Sequence, residues 1–272
     1  MKSLSIEDAY QWAQRFAARE WRLLVPVALA FMALPVLVLE LPPLKGLEAA
    51  FAAAVQTQNV AQASLYLRWL IPLLALIFVV GAFGGLAVTA IALVPGISVG
   101  EALALAARRI GILIASVALV LLGEFAIGIL LMLVLTVARF GPAAAQSMTS
   151  LFLIILCIFA GVRLFPLAPM IVRRRIGPIS ALRETWLLTQ GTFWRLFAAA
   201  AIYMVGAMVV MLALSAGFGS LILMLGKAAG ANELADAANA VFQQVVGALL
   251  ALGFHLVAAA VFRQLDGPSR GI

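Results

Sequence analysis

One cysteine and one histidine leave this 272-residue chain little conventional site chemistry. Cys157 has no second thiol to pair with, so an internal disulfide is excluded. With His255 the only imidazole, no Cys/His metal spacing can be assembled, and no Ser/His/Asp set is found. Charge is also scarce. Charged side chains make up 11% of the residues, against about 25% in soluble domains. Acids are the rarer sign, 11 against 18 bases. Glu124 is the only acid deep inside an apolar run, so a paired-carboxylate site within the apolar runs is unavailable. No glycine-rich phosphate loop is present. These absences imply no metal, no cofactor and no enzyme.

What fills the chain instead is apolar. Hydrophobic residues make up 65% and mean hydropathy is +1.16. A soluble fold has nowhere to put that much apolar surface, so the default solvent is a bilayer. The net charge of +7 would suggest nucleic acid in a soluble protein. Here the arginines sit at the ends of apolar runs and no basic-aromatic face lies outside them. They read as topology signals and contacts to anionic lipid, with no nucleic-acid partner.

Six runs are long enough to span about 30 Å of hydrocarbon. They cover about 21–41, 68–94, 110–138, 149–172, 193–225 and 237–261. The first is too long for a signal-peptide core, so it reads as a span. Pro26 and Pro35 lie inside it, which membrane helices tolerate. Gly81 and Gly85, with Gly84, form a small-residue face on the second run that lets another backbone approach. Residues 44–65 are mild enough for a short outer helix skirting the surface.

Basic residues divide unevenly between the two sides. Lys2, Arg15, Arg19, Arg22, Arg108, Arg109, Arg173, Arg174, Arg175, Arg183, Arg195, Arg263 and Arg270 fall on one side, and Lys45, Arg68, Arg139 and Lys227 on the other. That bias in short loops places both termini in the cytoplasm. The expected location is a bacterial inner membrane.

Three short segments align without gaps. Ser5 to Arg15 matches Ser98 to Arg108, and Gly177 to Leu187 shares the alanine (Ala9, Ala102, Ala181) and the position before two spans. Ser5 with Asp8, and Ser98 with Glu101, have capping-box spacing. Residues 3–19 place Leu4, Ile6, Tyr10, Ala13 and Phe16 on one helical face, as an interfacial helix would. The expected fold is therefore all-α and polytopic. It is a single membrane domain over 1–272, with six transmembrane helices as three hairpins, each preceded by an interfacial amphipathic helix. The repeating units cover about 3–94, 95–172 and 173–264.

The third such segment is the densest. Arg173, Arg174 and Arg175 end the fourth run, Gly177-Pro178 breaks the chain, and Arg183, Trp186, Trp194 and Arg195 follow. Gly177, Pro178, Ala181, Leu182, Trp186, Leu188, Thr189, Gly191, Trp194 and Arg195, together with the preceding Arg-Leu-Phe-Pro-Leu-Ala-Pro at 163–169, carry a resemblance. They resemble a family of six-span bacterial membrane proteins that includes the membrane domain fused to some glycerophosphodiester phosphodiesterases. Thr185 departs from the serine usual in that family. The resemblance is sharp over about 35 residues and implies the six-span topology. The fused hydrolase is not in this sequence, so its activity does not carry over.

Two ionisable residues, Glu124 and Arg163, are expected inside the bilayer, where an unpaired charge costs about 2.5 kcal/mol or more. They are expected to pair between the third and fourth spans, as a structural lock or as part of a headgroup or substrate site. His255 reads as a packing residue, with a proton relay to Glu124 as the sharper option. Arg173, Arg174, Arg175, Arg183, Trp186, Trp194 and Arg195 form a candidate site for anionic phospholipid headgroups. The function these features suggest is non-enzymatic: organising or sensing membrane lipid or envelope state, alone, with a membrane-protein partner or as a homo-oligomer. The rival is a transporter or channel for a lipid or amphiphilic small molecule.

Overall fold

The computed structural model of the protein describes residues 4–57 and 59–267. Lys2, Ser3 and Arg270 of the sequence argument lie outside the described residues. Helix α1 covers Ile6–Ala28, and α2 (Leu34–Leu37) and α3 (Pro42–Gln56) follow. Next come α4 (Val60–Leu93), α5 (Val99–Val137), α6 (Pro142–Arg163) and α7 (Leu167–Arg173). Helices α8 (Pro178–Leu188), α9 (Phe193–Leu214), α10 (Ser220–Ala228) and α11 (Asn232–Asp266) complete the chain. No strand occurs among the described residues.

Six helical stretches are long and apolar enough to cross a membrane: Ile6–Glu40, Val60–Leu93, Val99–Val137, Pro142–Arg173, Phe193–Ala228 and Asn232–Asp266. The spans are thus six, as expected, but their ends differ. Residues 98–109 do not form a helix separate from the third span. They lead directly into α5, which runs unbroken for 39 residues. No glycine or proline interrupts 101–110, so nothing stops the helix there. Residues 6–19, by contrast, form a helix that meets the first span at a kink at Glu20 (φ −106°, ψ 16°). Of the three aligned segments, the first is set off from its span by the kink at Glu20, the second runs into α5 without a break, and the third forms the separate helix α8. Gly177-Pro178 starts it and Gly191, at φ +74°, lies in the turn that ends it. That left-handed conformation suits glycine, which has no Cβ to clash.

Proline explains the irregular first span. Pro26 and Pro35 each lack the N–H that would bond four residues back. Between them the chain widens into a π-helical turn at Leu29–Ala33. A second π-helical turn, Ser215–Gly219, interrupts the fifth span between α9 and α10. At 164–166 the fourth span turns, around Pro166, whose ring nitrogen has no N–H to continue the helical bonding.

The core sits at the arginine-rich end. Leu86, Val88, Leu256, Val261 and Phe262 are buried where α4, α11, α1 and α7 converge. Half of the sixth span's apolar stretch is buried in the protein, against 6% of the third's. Helices α4 and α11 are therefore central, while α5 is an arm whose apolar side chains face outward. The protein exposes 16095 Å², whereas a compact soluble monomer of 28.7 kDa would expose about 11,300 Å². A surface that large and apolar needs lipid over it.

The small-residue face of α4 works as close packing. A Cβ on Gly84 would lie 2.6 Å from the Phe31 Cβ, and one on Gly85 would lie 2.4 Å from the His255 Cε1. Adjacent glycines thus admit the π-helical turn of the first span on one side and α11 on the other.

Candidate functional site

Four elements build the arginine-rich end. The Ser5 N–H donates to the Gln264 Oε1 at 2.9 Å, and the Gln264 Nε2 donates to the Ser5 carbonyl at 3.0 Å. The described ends of the chain are thereby clamped together. The Arg263 guanidinium stacks over the Trp12 ring at 4.7 Å. The Tyr10 hydroxyl donates to the Ala199 carbonyl at 2.8 Å, which ties α1 to α9 as well.

The elbow joins this end through Arg174. Its Nη1 reaches the Glu184 Oε2 at 2.5 Å and its Nη2 reaches the Asp266 Oδ1 at 2.7 Å. Burial works against the Arg174 charge, but the two carboxylates outweigh it and hold its guanidinium above the ordinary arginine range. Arg174 is therefore committed to holding α8 against α11. Arg173, Arg175, Arg183 and Arg195 are exposed and pair with no carboxylate among the described residues. Arg175 lies within electrostatic reach of Arg109, so like charges crowd here. Trp186 is partly covered, and Trp194 stands 76% exposed beside Arg195.

The three aligned segments share two local features, a helix start and a buried alanine. Ser5, Ser98 and Gly177 are each the residue that caps a helix start. Ser98 and Glu101 form a complete capping box, whereas Ser5 caps Asp8 and gives its own N–H to Gln264. Ala9, Ala102 and Ala181 are all fully buried, and so are their counterparts one turn later, Ala106 and Thr185, with Ala13 nearly so.

Arg163 does not pair with Glu124. It is the last residue of α6, and its Nη1 donates to the Thr189 carbonyl at 2.8 Å. The guanidinium sits among three rings, 5.0 Å from Trp186, 5.6 Å from Phe159 and 6.0 Å from Phe193. Its Nε is buried without a hydrogen-bond partner. The α5–α6 register accounts for the difference. The Thr149 hydroxyl meets the Met132 sulfur at 3.8 Å, and Gly128 faces Leu153. That register puts Ala118 level with Arg163 and Cys157 level with Glu124, a separation of about six residues or about 9 Å along the axis. Helix α6 ends at Arg163 and the chain turns before α7, so Arg163 does not sit inside an uninterrupted helix. Glu124 remains half-buried on α5 with no ion pair among the described residues. His255 is a packing residue against Gly85, distant from Glu124 in the fold: it sits in the α4–α11 core, whereas Glu124 lies on the outer half of the α5 arm.

Sequence reasoning missed Thr189 as the Arg163 partner, and it missed Trp12 and Arg263 as a pair. Their proximity depends on the first and last helices meeting, which no local pattern announces. No group of His, Cys, Asp and Glu suited to a metal ion occurs among the described residues.

Six apolar spans, a lipid-sized exposed surface and a basic end define a multi-pass α-helical membrane protein. No protein-family model, curated protein or solved structure matches the chain.

Proposed function

We propose that this protein resides in a bacterial cytoplasmic membrane with both termini on the cytoplasmic side. There it binds anionic phospholipid headgroups at its arginine-rich end and thereby organises or senses lipid state, without catalysing a reaction. The observation that carries this reading is the set of exposed, carboxylate-free arginines, Arg173, Arg175, Arg183 and Arg195, in the same elbow of the chain as Trp186 and Trp194. Cations near an anionic leaflet contribute about 1 kcal/mol each, and tryptophan favours the headgroup boundary. In this reading the three aligned segments are copies of one unit, an amphipathic helix followed by a hairpin. The buried alanines Ala9, Ala102 and Ala181 support it. The resemblance of 177–195 to the six-span family agrees with the same topology.

Lipid extracted with the protein in polymer nanodiscs tests the proposal. The wild type is expected to enrich anionic over zwitterionic phospholipid relative to the bulk membrane. The Arg173→Gln/Arg175→Gln/Arg183→Gln/Arg195→Gln variant is expected to lose that enrichment. Bulk composition around the wild type would refute the reading.

One observation favours a second reading, movement of an amphiphile across the bilayer. The first and fifth spans are both interrupted by π-helical turns, which are frequent at functional sites. The Asn239 Oδ1 lies buried and unpartnered beside the second of these turns. Flux of a fluorescent lipid across proteoliposomes, abolished by Asn239→Leu, would support that alternative.

A further inference from the structure

A chamber of about 1120 Å³ lies against α1, with no α8 residue in its lining. Its walls are α1, the α4–α5 turn, the end of α11 and Arg173 from the end of α7. That volume is at the upper end of small-molecule sites. Part of the lining is apolar and includes Leu23, Ile91, Ala260 and Phe262. Another part is charged, and its charges do not cancel.

Each of these charges can be followed to its partner. Arg19 is paired with Glu20 at 2.9 Å. Asp266 is taken by Arg174, which stands outside the chamber lining. Arg15 touches only Gln11, through a backbone carbonyl at 3.2 Å and a side-chain oxygen at 3.5 Å. Arg263 has only the face of Trp12. Arg173 pairs with no carboxylate among the described residues. Against these three guanidinium groups stands one free carboxylate, Asp8, which lies in the positive first turn of its own helix. Arg174 is shared between Asp266 and Glu184, so the lining as a whole, four guanidinium groups against three carboxylates, carries an excess of one positive charge beside its apolar residues. Planar guanidinium forks suit phosphate oxygens in particular.

We infer that this chamber is a discrete binding site for one phosphate-bearing anion, with Arg15, Arg173 and Arg263 as its ligands and the apolar part of the lining accepting an attached chain. The amphiphilic lining points to an anionic phospholipid, whose phosphate would sit at these arginines and whose acyl chain would run along Leu23 and Ile91. The site is distinct from the elbow surface of Arg183 and Arg195, which attracts lipid diffusely. It does not depend on that surface being functional.

Native mass spectrometry of the full chain in a neutral detergent tests the inference. The probes are dioctanoyl phosphatidylglycerol, dioctanoyl phosphatidylcholine and glycerol 3-phosphate. Wild-type protein should hold a single phosphatidylglycerol adduct, and phosphatidylcholine should not compete. Arg15→Gln/Arg263→Gln should weaken that adduct by at least about tenfold, while Arg183→Gln/Arg195→Gln should leave it intact. Because Arg263 also packs on Trp12, Arg173→Gln serves as the milder variant, and it should weaken the adduct as well. Glycerol 3-phosphate binding as tightly as the lipid would keep the anion site and assign it to a soluble ester. Equal retention by wild type and both chamber variants would overturn the site. So would loss confined to the Arg183→Gln/Arg195→Gln variant, since retention would then belong to the elbow surface.

Discussion

Arg163 ties the end of α6 to Thr189 at the end of α8, while the Thr189 hydroxyl is nearest the Thr185 carbonyl at 3.0 Å. The Arg163 guanidinium donates to the Thr189 carbonyl at 2.8 Å, and the Thr189 hydroxyl lies 3.3 Å from the Arg163 carbonyl. The pair joins the end of α6 to the end of α8 across 26 residues. Three aromatic rings cover the cation, so its charge is balanced by ring faces and a carbonyl dipole, with no carboxylate involved.

Arg163→Leu should therefore loosen the elbow. One charged hydrogen bond contributes about 1.5–3 kcal/mol, and the ring contacts add about 0.5–1 kcal/mol. Thermal unfolding in detergent should show a lowered midpoint for Arg163→Leu and partial recovery for Arg163→Lys. Glu124→Gln should leave the midpoint unchanged. If Glu124→Gln lowered it as much, an ion pair with Arg163 would be restored as the explanation.

Gly84 and Gly81 share one face of α4 but should respond differently. A Cβ at Gly84 would meet the Phe31 Cβ at 2.6 Å, close to the backbone where little can yield. At Gly81 the nearest atom is 4.0 Å away. Gly84→Ala should cost about 1–3 kcal/mol by overpacking, and Gly81→Ala should be close to neutral. Chemical unfolding of the two variants side by side decides it.

The buried alanines tie the three aligned helix starts to packing. Ala102 is fully buried where α5 meets the core, so Ala102→Leu should destabilise by about 1–3 kcal/mol. Ala104, two residues on, is exposed. Ala104→Leu should leave stability within about 0.5 kcal/mol. The two unfolding midpoints, measured in the same detergent, separate packing from helix propensity.

Much of this was legible in the sequence, because composition and charge report directly on solvent. The six spans follow from apolar run length, the helix starts at Ser5 and Ser98 from capping chemistry, and the one at Gly177 from the Gly-Pro break. The partners of Arg163 were not legible. An apolar run reads as one uninterrupted helix, whereas the turn at 164–166 makes Arg163 a helix end. The unbroken α5 was also hidden, since an amphipathic start followed by an apolar run looks the same whether or not the helix bends between them. The chamber was invisible for a third reason: it needs α1, α7 and α11 at once, and those lie far apart in sequence.

Orientation can be read with single cysteines. In a Cys157→Ser background, Ala144→Cys in the first turn of α6 should react with a membrane-impermeant maleimide added outside spheroplasts. Ile97→Cys, in the α4–α5 turn beside the arginines, should react only after lysis. The reverse pattern would invert the proposed topology.

The central claim is that the arginine-rich end binds anionic phospholipid. Native mass spectrometry measures this most directly, comparing lipid adducts on wild type and on Arg173→Gln/Arg175→Gln/Arg183→Gln/Arg195→Gln across matched anionic and zwitterionic lipids. The account predicts selective retention of anionic lipid by the wild type and its loss in the variant. Equal retention of both lipid classes by both proteins would contradict it.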